Sequence, residues 1–403
     1  MTPSSMKPAS DDRQDVTYFD NAATSWPKPP CVHEAMVHYL DQVGANPGRA
    51  GHFRAAEAGR LVLAARRGVA RLCGLENPMR VLLGPSATWG LNQAIQGLLQ
   101  PGDHVVTTSM EHNSVLRPLH AMTQDETITL TVVNASPQGV IDPDDMLRAV
   151  RPETALLVVT HASNVCGALQ PVGEIGQGCR RRGIPLLVDA AQTAGVVDLD
   201  MVRDGIDLLA FAGHKGLLGP TGTGGLVLAD TFDEARLRPL MRGGTGSRSD
   251  SIEQPDVLPD RFESGTLNVV GLAGLAAGIE WLHGAGGGVD HLGQHERQLR
   301  RRFLDLAYDR VPGFIAYGPL GDQAVGVASF QVVGFSASEL SQILADRFGV
   351  LGRQGMHCAP LAHRALGTFP EGTLRFGFGP FNNEDQIIKA VDALATITTE
   401  VRP

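Results

Sequence analysis

Short apolar runs separated by polar, glycine-rich connections recur through the first two thirds of the chain, each too short for an ordinary helix. Runs of this kind predict strands at Arg80–Leu83, His104–Thr107, Thr127–Val133, Ala155–Thr160, Ile184–Val188, Asp207–Phe211 and Gly225–Leu228. Helical spacing fits between them, at Ala87–Leu99, Ser114–Met122, Pro143–Val150 and Val172–Arg182, with a short helix before Gly205. Strand and helix alternating over short connections predict an α/β fold with a mainly parallel sheet covered on both faces. The last of these strands follows a glycine turn too short for a crossover helix, which leaves it free to run antiparallel.

The flanking regions read differently. Residues up to about Gln14 form a polar leader, expected to be disordered, and Val16–Phe19 is a short strand. Asp20-Asn21-Ala22-Ala23-Thr24 is a turn, and a helix carrying Val32, Met36, Val37 and Leu40 follows Pro27, Pro29 and Pro30. After the loop Asn46–His52, an amphipathic helix runs to about Cys73. Near Leu272 the pattern changes to helices at Leu272–Leu282 and Asp290–Val311 and strands near Phe314–Tyr317, Gly326–Val333 and Thr373–Phe378. A helix at Ser338–Phe348 falls among those strands, and a last helix runs from Asn383 to about Thr398. The expected division is a leader over 1–15, a large domain over 16–271 and a smaller α+β domain over 272–403.

Composition adds little that is specific. The 403 residues are 43% hydrophobic and 19% charged, as in an ordinary globular protein, and a net charge of −9 argues against nucleic-acid partners. No apolar run reaches membrane-spanning length and the start of the chain lacks a signal-peptide core, so a cytoplasmic protein without a membrane partner is expected. Five scattered cysteines, Cys31, Cys73, Cys166, Cys179 and Cys358, form neither a disulfide framework nor a CxxC metal pair.

The candidate chemistry sits just after the predicted strands. The run Leu208–Leu226 ends in Gly213-His214-Lys215-Gly216 and a glycine-rich exit. A lysine there, partly desolvated, can keep a free lone pair and condense with a carbonyl; alone it is equally a surface lysine. Gly84-Pro85-Ser86-Ala87-Thr88 opens a helix whose free N–H groups suit a phosphate or simply a cap. His112 could stack on a flat heteroaromatic ring, and Asn164 could donate to a ring oxygen or hold a turn. Asp189 stands where a buried strand ends, placed either to pair with a protonated pyridine nitrogen or to cap a helix, with Gln192 three residues on. Together, and with Lys215 last in order, they describe a pyridoxal 5'-phosphate site.

The chain resembles the class V aminotransferase-fold enzymes, and within them the cysteine desulfurases and selenocysteine lyases, closest to the SUF-type group. The stretches that carry the likeness are YFDNAAT, NPGRAGH, ATWGLN, MEHNSV, HASNVCGA, VDAAQTAG, AGHKGLLGPTGTGGL, RFESGTLN, RQGMHCAPLAH and LRFGFGPFN, from Tyr18 almost to the C-terminus. The resemblance implies the type I pyridoxal phosphate transferase fold and assigns roles. Lys215 is then the imine-forming lysine, His112 the ring-stacking base, Asp189 the pyridinium partner, and Asn164 and Gln192 the neighbours of the ring oxygen. Ala87, Thr88 and His214 hold the phosphate, with Thr266 reaching it from the second subunit of a homodimer with shared active sites. Asn21, Ala22, Ala23 and Arg49 line the substrate pocket, and Arg375 clamps the substrate carboxylate. Cys358 is the sulfur-accepting nucleophile, in a short loop without the long Ser-rich segment of the ISC-type enzymes, and a sulfur-acceptor protein is the implied partner. Three positions depart from the family pattern: Ala212 lacks a phosphate-touching hydroxyl, Trp89 replaces an acidic residue, and Gly48 replaces a substrate-side histidine.

The implied reaction takes sulfur from L-cysteine, leaving alanine and a persulfide on Cys358. A selenocysteine lyase acting on L-selenocysteine would use the same residues. A C–S lyase or class V aminotransferase would need Lys215 and Asp189 but no nucleophilic cysteine. A nucleotide-binding or scaffold protein of this fold would not need Lys215, Asp189 and His112, and the chain has no GxGxxG turn after its first sheet strands.

Overall fold

A computed structural model describes residues 16–48 and 51–400. The expected leader and Arg49 lie outside the described residues. In chain order the strands are β1 (Thr17–Tyr18), β2 (Val81–Gly84), β3 (His104–Thr108), β4 (Thr129–Val133), β5 (Thr154–Thr160), β6 (Leu186–Asp189), β7 (Leu208–Ala212) and β8 (Gly224–Leu228). They continue with β9 (Phe314–Tyr317), β10 (Val327–Val332), β11 (Val350–Leu351), β12 (Arg353–Gly355) and β13 (Thr373–Gly377). The helices are α1 (Pro30–His38), α2 (Phe53–Leu72), α3 (Ala87–Leu98), α4 (Asn113–Gln124), α5 (Pro143–Arg148) and α6 (Val172–Arg180). After these come α7 (Met201–Asp204), α8 (Val269–His283), α9 (Val289–Arg310), α10 (Ala337–Phe348), α11 (Pro360–Ala365) and α12 (Glu384–Glu400).

Seven strands form the large sheet in the order β2-β8-β7-β6-β5-β3-β4. Only β8 runs antiparallel, to both β2 and β7, as its short connection requires. Strands β3, β6 and β7 are wholly buried and β5 is buried except at Ala155, which accounts for continuous apolar runs in place of alternation. Packing at β8 is close: a Cβ on Gly225 would lie 2.1 Å from the Leu82 carbonyl oxygen, and one on Gly224 would lie 2.7 Å from the backbone of Ser86. The glycine-rich exit after Lys215 therefore lets β8 pass directly beneath the turn that opens α3.

The second core is built on an antiparallel sheet of order β12-β13-β10-β9. Phe303, Phe314, Phe330, Phe376 and Phe378 pack ring to ring at centroid distances of 5.0–6.0 Å. Two features differ from the expected division. Leu272, Leu275 and Ile279 of α8 pack into the large core, whereas Leu299 and Phe303 of α9 belong to the second. The cores thus change over at the glycine run between these helices, not at Leu272, because α8 lies against α1 and α2. At the N-terminus β1 pairs with β11, and Phe19 enters the second core against Phe376 and Phe378. No helix among the described residues is long and apolar enough to cross a membrane.

Candidate active site

The C-terminal ends of β2, β3, β5, β6 and β7 open at one edge of the large sheet, where α/β sheets hold their ligands. A cavity of about 280 Å³ lies there and is closed on its far side by the second sheet. The large-sheet loops supply Ala87, Thr88, His112, Asn164, Asp189, Gln192, His214 and Lys215 to it. Ala22 and Ala23 come from the N-terminal turn, and Cys358 and Arg375 from the second sheet and its loop. The structure thus gathers most of the sequence-predicted residues around one space.

Lys215 is half-buried, and desolvation lowers its amine to about 8 although Asp189 favours the charged form. Its turn is held from outside the sheet. The His214 carbonyl accepts from the Ser25 N–H (3.0 Å), the Thr24 hydroxyl (3.2 Å) and Lys28 Nζ (2.9 Å), while the Ser25 hydroxyl donates to the Lys215 carbonyl (3.0 Å). Sequence reading placed Thr24 in the Asp20–Thr24 turn but missed Ser25 and Lys28; the only signal was their place directly after that turn.

The opening turn of α3 is a ready anion cradle. Ser86 caps it through Trp89 N (3.2 Å), leaving the Ala87 and Thr88 N–H groups without intrahelical acceptors. The Thr88 hydroxyl pairs with Ser114 (2.7 Å), and Ser114 with His112 Nδ1 (2.8 Å). His112 Nδ1 also accepts from the Ser114 N–H at 3.1 Å, which places the proton of the neutral ring on Nε2. Burial lowers the His112 pKa, with Lys215 and Arg375 adding to the effect and Asp189 opposing it. His214 Nδ1 is buried without a partner, one donor or acceptor left for a ligand. Ala212 closes β7 with a methyl group at this cradle, and Trp89 turns its ring against Gly84.

Asp189 caps the turn that follows β6. Oδ1 accepts from Ala191 N at 2.9 Å, and the other oxygen makes no hydrogen bond among the described residues. Gln192 donates to the Ala22 carbonyl (3.0 Å). Glu111 lies behind the cavity and was not foreseen. Its Oε1 accepts from the Thr108 hydroxyl (2.7 Å) and Thr160 N (2.9 Å), Oε2 is buried without a partner, and burial raises it to about 8, with Asp189 adding to the shift. Near neutrality Asp189 therefore faces a protonated acid and not a second carboxylate.

On the opposite wall, Arg375 is buried in β13. It donates to the Asn164 carbonyl (2.8 Å) and to Asp20 (2.9 Å), and its Nε has no partner. Arg353 stands directly across the strand pair from it and also lines the cavity, a second guanidinium that sequence reading passed over. Its signal was an arginine opening the stretch that ends in Cys358. The Asn164 amide donates to the His357 carbonyl at 2.6 Å, so it is engaged with the cysteine loop.

Cys358 is exposed, unlike Cys73, Cys166 and Cys179, whose thiols are buried and shifted upward by desolvation. Cys31 is half-buried, with its thiol against the Ala277 carbonyl. His357 and Cys358 adopt consecutive left-handed conformations (φ 45° and 57°), each costing about 1–3 kcal/mol. The Cys358 carbonyl is tied to Asn113 N at 2.7 Å.

Two residues lie elsewhere. The Asn21 side chain pins the N-terminal turn, donating to the Gly377 carbonyl (3.0 Å) and Asn382 (3.1 Å) and accepting from Trp26 N (3.1 Å). It borders a smaller neighbouring cavity, not this one, because all its polar groups are spent on the chain. Thr266 lines a separate cleft with Gly48 and Gly265. The arrangement suits a planar heteroaromatic ligand with a phosphate, a basic ring nitrogen and a carbonyl that an unprotonated amine can reach. No group of His, Cys, Asp and Glu among the described residues could hold a metal ion.

Comparison with known proteins agrees with this geometry. The family described as Aminotransferase class-V matches residues 17–390. A protein of Methanothermobacter thermautotrophicus described as "Probable cysteine desulfurase" is 33% identical over 379 residues, covering 93% of this chain and 92% of its own. A protein of the same description from Pyrococcus abyssi is 32% identical and covers 96% of each chain. Among solved structures, the apo cysteine desulfurase of Thermococcus onnurineus superposes with a TM-score of 0.89 at 30% identity, over 98% of this chain and 100% of that one. A cysteine desulfurase of Escherichia coli gives a TM-score of 0.83 at 28% identity, over 96% and 95%.

Proposed function

We propose a cysteine desulfurase reaction for this chain, which belongs to the class V aminotransferase family. Enzymes of this family depend in general on pyridoxal phosphate, and the cavity has the complementary groups. Ala87, Thr88 and His214 would hold the phosphate, Asp189 the pyridine nitrogen, His112 the ring face and Lys215 the aldehyde carbon. When bound, the cofactor supplies a carbonyl for amine condensation and an electron sink beside the substrate Cα.

The chain's own groups do the rest. Arg375, with Arg353 across the strand, holds the substrate carboxylate and so fixes which bond of Cα faces Lys215. Lys215, with its amine at about 8, has a usable unprotonated fraction near neutrality and takes the Cα proton. Cys358, as a thiolate, attacks the substrate sulfur. An S–S bond forms and the C–S bond breaks with its electron pair kept by the substrate carbon; that carbon takes up one proton, matching the one lost when Cys358 ionised, and Lys215 returns its proton to Cα to give alanine. The products are alanine and a persulfide on an exposed residue, from which an acceptor protein's thiol can collect the sulfur. Thr266, absent from its own cavity, fits a role in the site of a second copy.

The observation that carries the reading is an exposed thiol and a desolvated lysine on the wall of one cavity. The test is to incubate wild type and Cys358→Ser with L-cysteine and quantify alanine and sulfide. The variant should bind the cofactor with an unchanged absorbance spectrum and form no alanine; retained turnover removes Cys358 from the mechanism. Pyruvate and ammonia from wild type would mean β-elimination instead.

A further inference from the structure

The loop that carries Cys358 rests on an ordered chain of three buried side chains. Thr368 lies 2.7 Å from His363 Nδ1, His363 Nε2 lies 3.4 Å from His357 Nδ1, and His357 Nε2 lies 3.1 Å from the Arg353 carbonyl. The two imidazoles stack at 5.5 Å with an interplanar angle of 24°. His357, His363 and Thr368 are 8%, 0% and 1% exposed.

One end of the chain sets every proton in it. A carbonyl only accepts, so His357 carries its proton on Nε2 and presents Nδ1 as an acceptor. His363 must then donate from Nε2, which leaves its Nδ1 to accept from the Thr368 hydroxyl. Burial lowers the two histidines to about 3 and about 4, so both rings stay neutral across the physiological range. The chain therefore holds one tautomer and one direction: Thr368 to His363 to His357 to the Arg353 carbonyl.

We infer that Thr368, His363 and His357 are positioning residues that aim the Cys358 thiol at the substrate sulfur. Backbone contacts alone leave this side unsupported. The Asn164 amide holds the His357 carbonyl and Asn113 N holds the Cys358 carbonyl, both from the large-sheet side. The imidazole chain grips His357, the first of the two left-handed residues and the one directly before Cys358, from the second-sheet side. It runs from the loop after α11 to the end of β12, whose first residue is Arg353. The thiol and the Arg353 guanidinium are thus set by one hydrogen-bonded unit, which couples the place of the nucleophile to the place of the substrate carboxylate. This inference rests on reading Cys358 as the sulfur acceptor.

The test compares Thr368→Val, which keeps the shape and removes the hydroxyl, with Thr368→Ser, which keeps the hydroxyl. We expect T368V to lower kcat for alanine formation at least about tenfold, the scale of a slightly misplaced reacting group. Its KM for L-cysteine, cofactor spectrum and rate of Cys358 alkylation by iodoacetamide, read by peptide mass mapping, should stay near wild type, because the thiol is intact but misdirected. T368S should recover most of the lost kcat. Wild-type turnover in T368V, equal impairment in T368S, or a fall in alkylation matching the fall in kcat would overturn the inference. If T368V does not fold, His363→Gln, which keeps a donor towards His357, against His363→Leu makes the same comparison. Cys358→Ser measured alongside separates the two claims: alanine formation by that variant refutes the desulfurase reading, whereas an inactive C358S with a fully active T368V refutes the positioning chain alone.

Discussion

Glu296 offers the sharpest quantitative test of the site's electrostatics. It lies in the middle of α9, 8% exposed, with no hydrogen bond or ion pair among the described residues. It borders a cavity of about 30 Å³ whose wall also includes Lys215 and Gln192. Burial raises its carboxyl from 4.5 to about 8, opposed only by Arg297. The unfolded chain loses this proton near pH 4.5, whereas the folded protein keeps it to about pH 8. Over that window the unfolded state binds fewer protons, so stability is greatest below pH 4.5 and falls as pH rises towards 8. At about 1.4 kcal/mol per pKa unit, a rise of about 3.5 units sets an upper limit of roughly 5 kcal/mol. The neighbouring cavity has room for about one water, which lowers the expected loss to roughly 2–4 kcal/mol. Glu296→Gln removes the titration, and any packing cost of the amide is the same at every pH. Urea unfolding of both proteins at pH 5, 7 and 9, in the same cofactor state, should show stabilities that converge or cross as pH rises, because only wild type loses the Glu296 contribution. Glu111 titrates alike in both and cancels. Parallel curves, differing by a constant within about 1 kcal/mol, would show that Glu296 is ionised in the fold and refute the reasoning.

Two further outcomes follow from the structure. Glu263 accepts from Arg66 (2.7 Å) and Leu83 N (2.6 Å) in a buried pair just before the turn that opens α3. Glu263→Gln sets an amide donor against Arg66 and should cost about 3–5 kcal/mol in denaturant unfolding, with weaker pyridoxal phosphate retention; a cost below about 1 kcal/mol would mean that Arg66 finds another partner. Lys215 should take up pyridoxal phosphate faster as pH rises, because lowering its pKa to about 8 frees the amine over that range. From pH 7 to 9 the unprotonated fraction grows about tenfold, and the absorbance-monitored uptake rate should follow it; a rate still climbing at constant slope beyond pH 9 would indicate an unshifted lysine.

The order of strands and helices around the large sheet was legible in the sequence because buried parallel strands announce themselves as short apolar runs between turn residues. Lys215, Asp189, His112 and the Ala87-Thr88 turn were legible for a related reason. In such a sheet, ligand-facing residues follow strand ends, so position along the chain already implies position in space. The missed elements are short: β11 and β12 span two and three residues and α11 six, and none carries a period long enough to read. The placement of α8 depended on which core its apolar face met, and periodicity records a face without naming its partner. Asn21 reads like a substrate contact until its amide is seen spent on Gly377 and Asn382, far away in sequence. Glu296 is an ordinary helix glutamate until α9 buries it beside the cavity. The Thr368–His363–His357 chain exists only because α11 and the loop after it are brought against the loop that follows β12. What the sequence by itself determined were the elements and the residues delivered by strand ends. Which polar groups are free for chemistry was decided by the tertiary structure, because a side chain's availability depends on partners that packing brings to it from elsewhere in the chain.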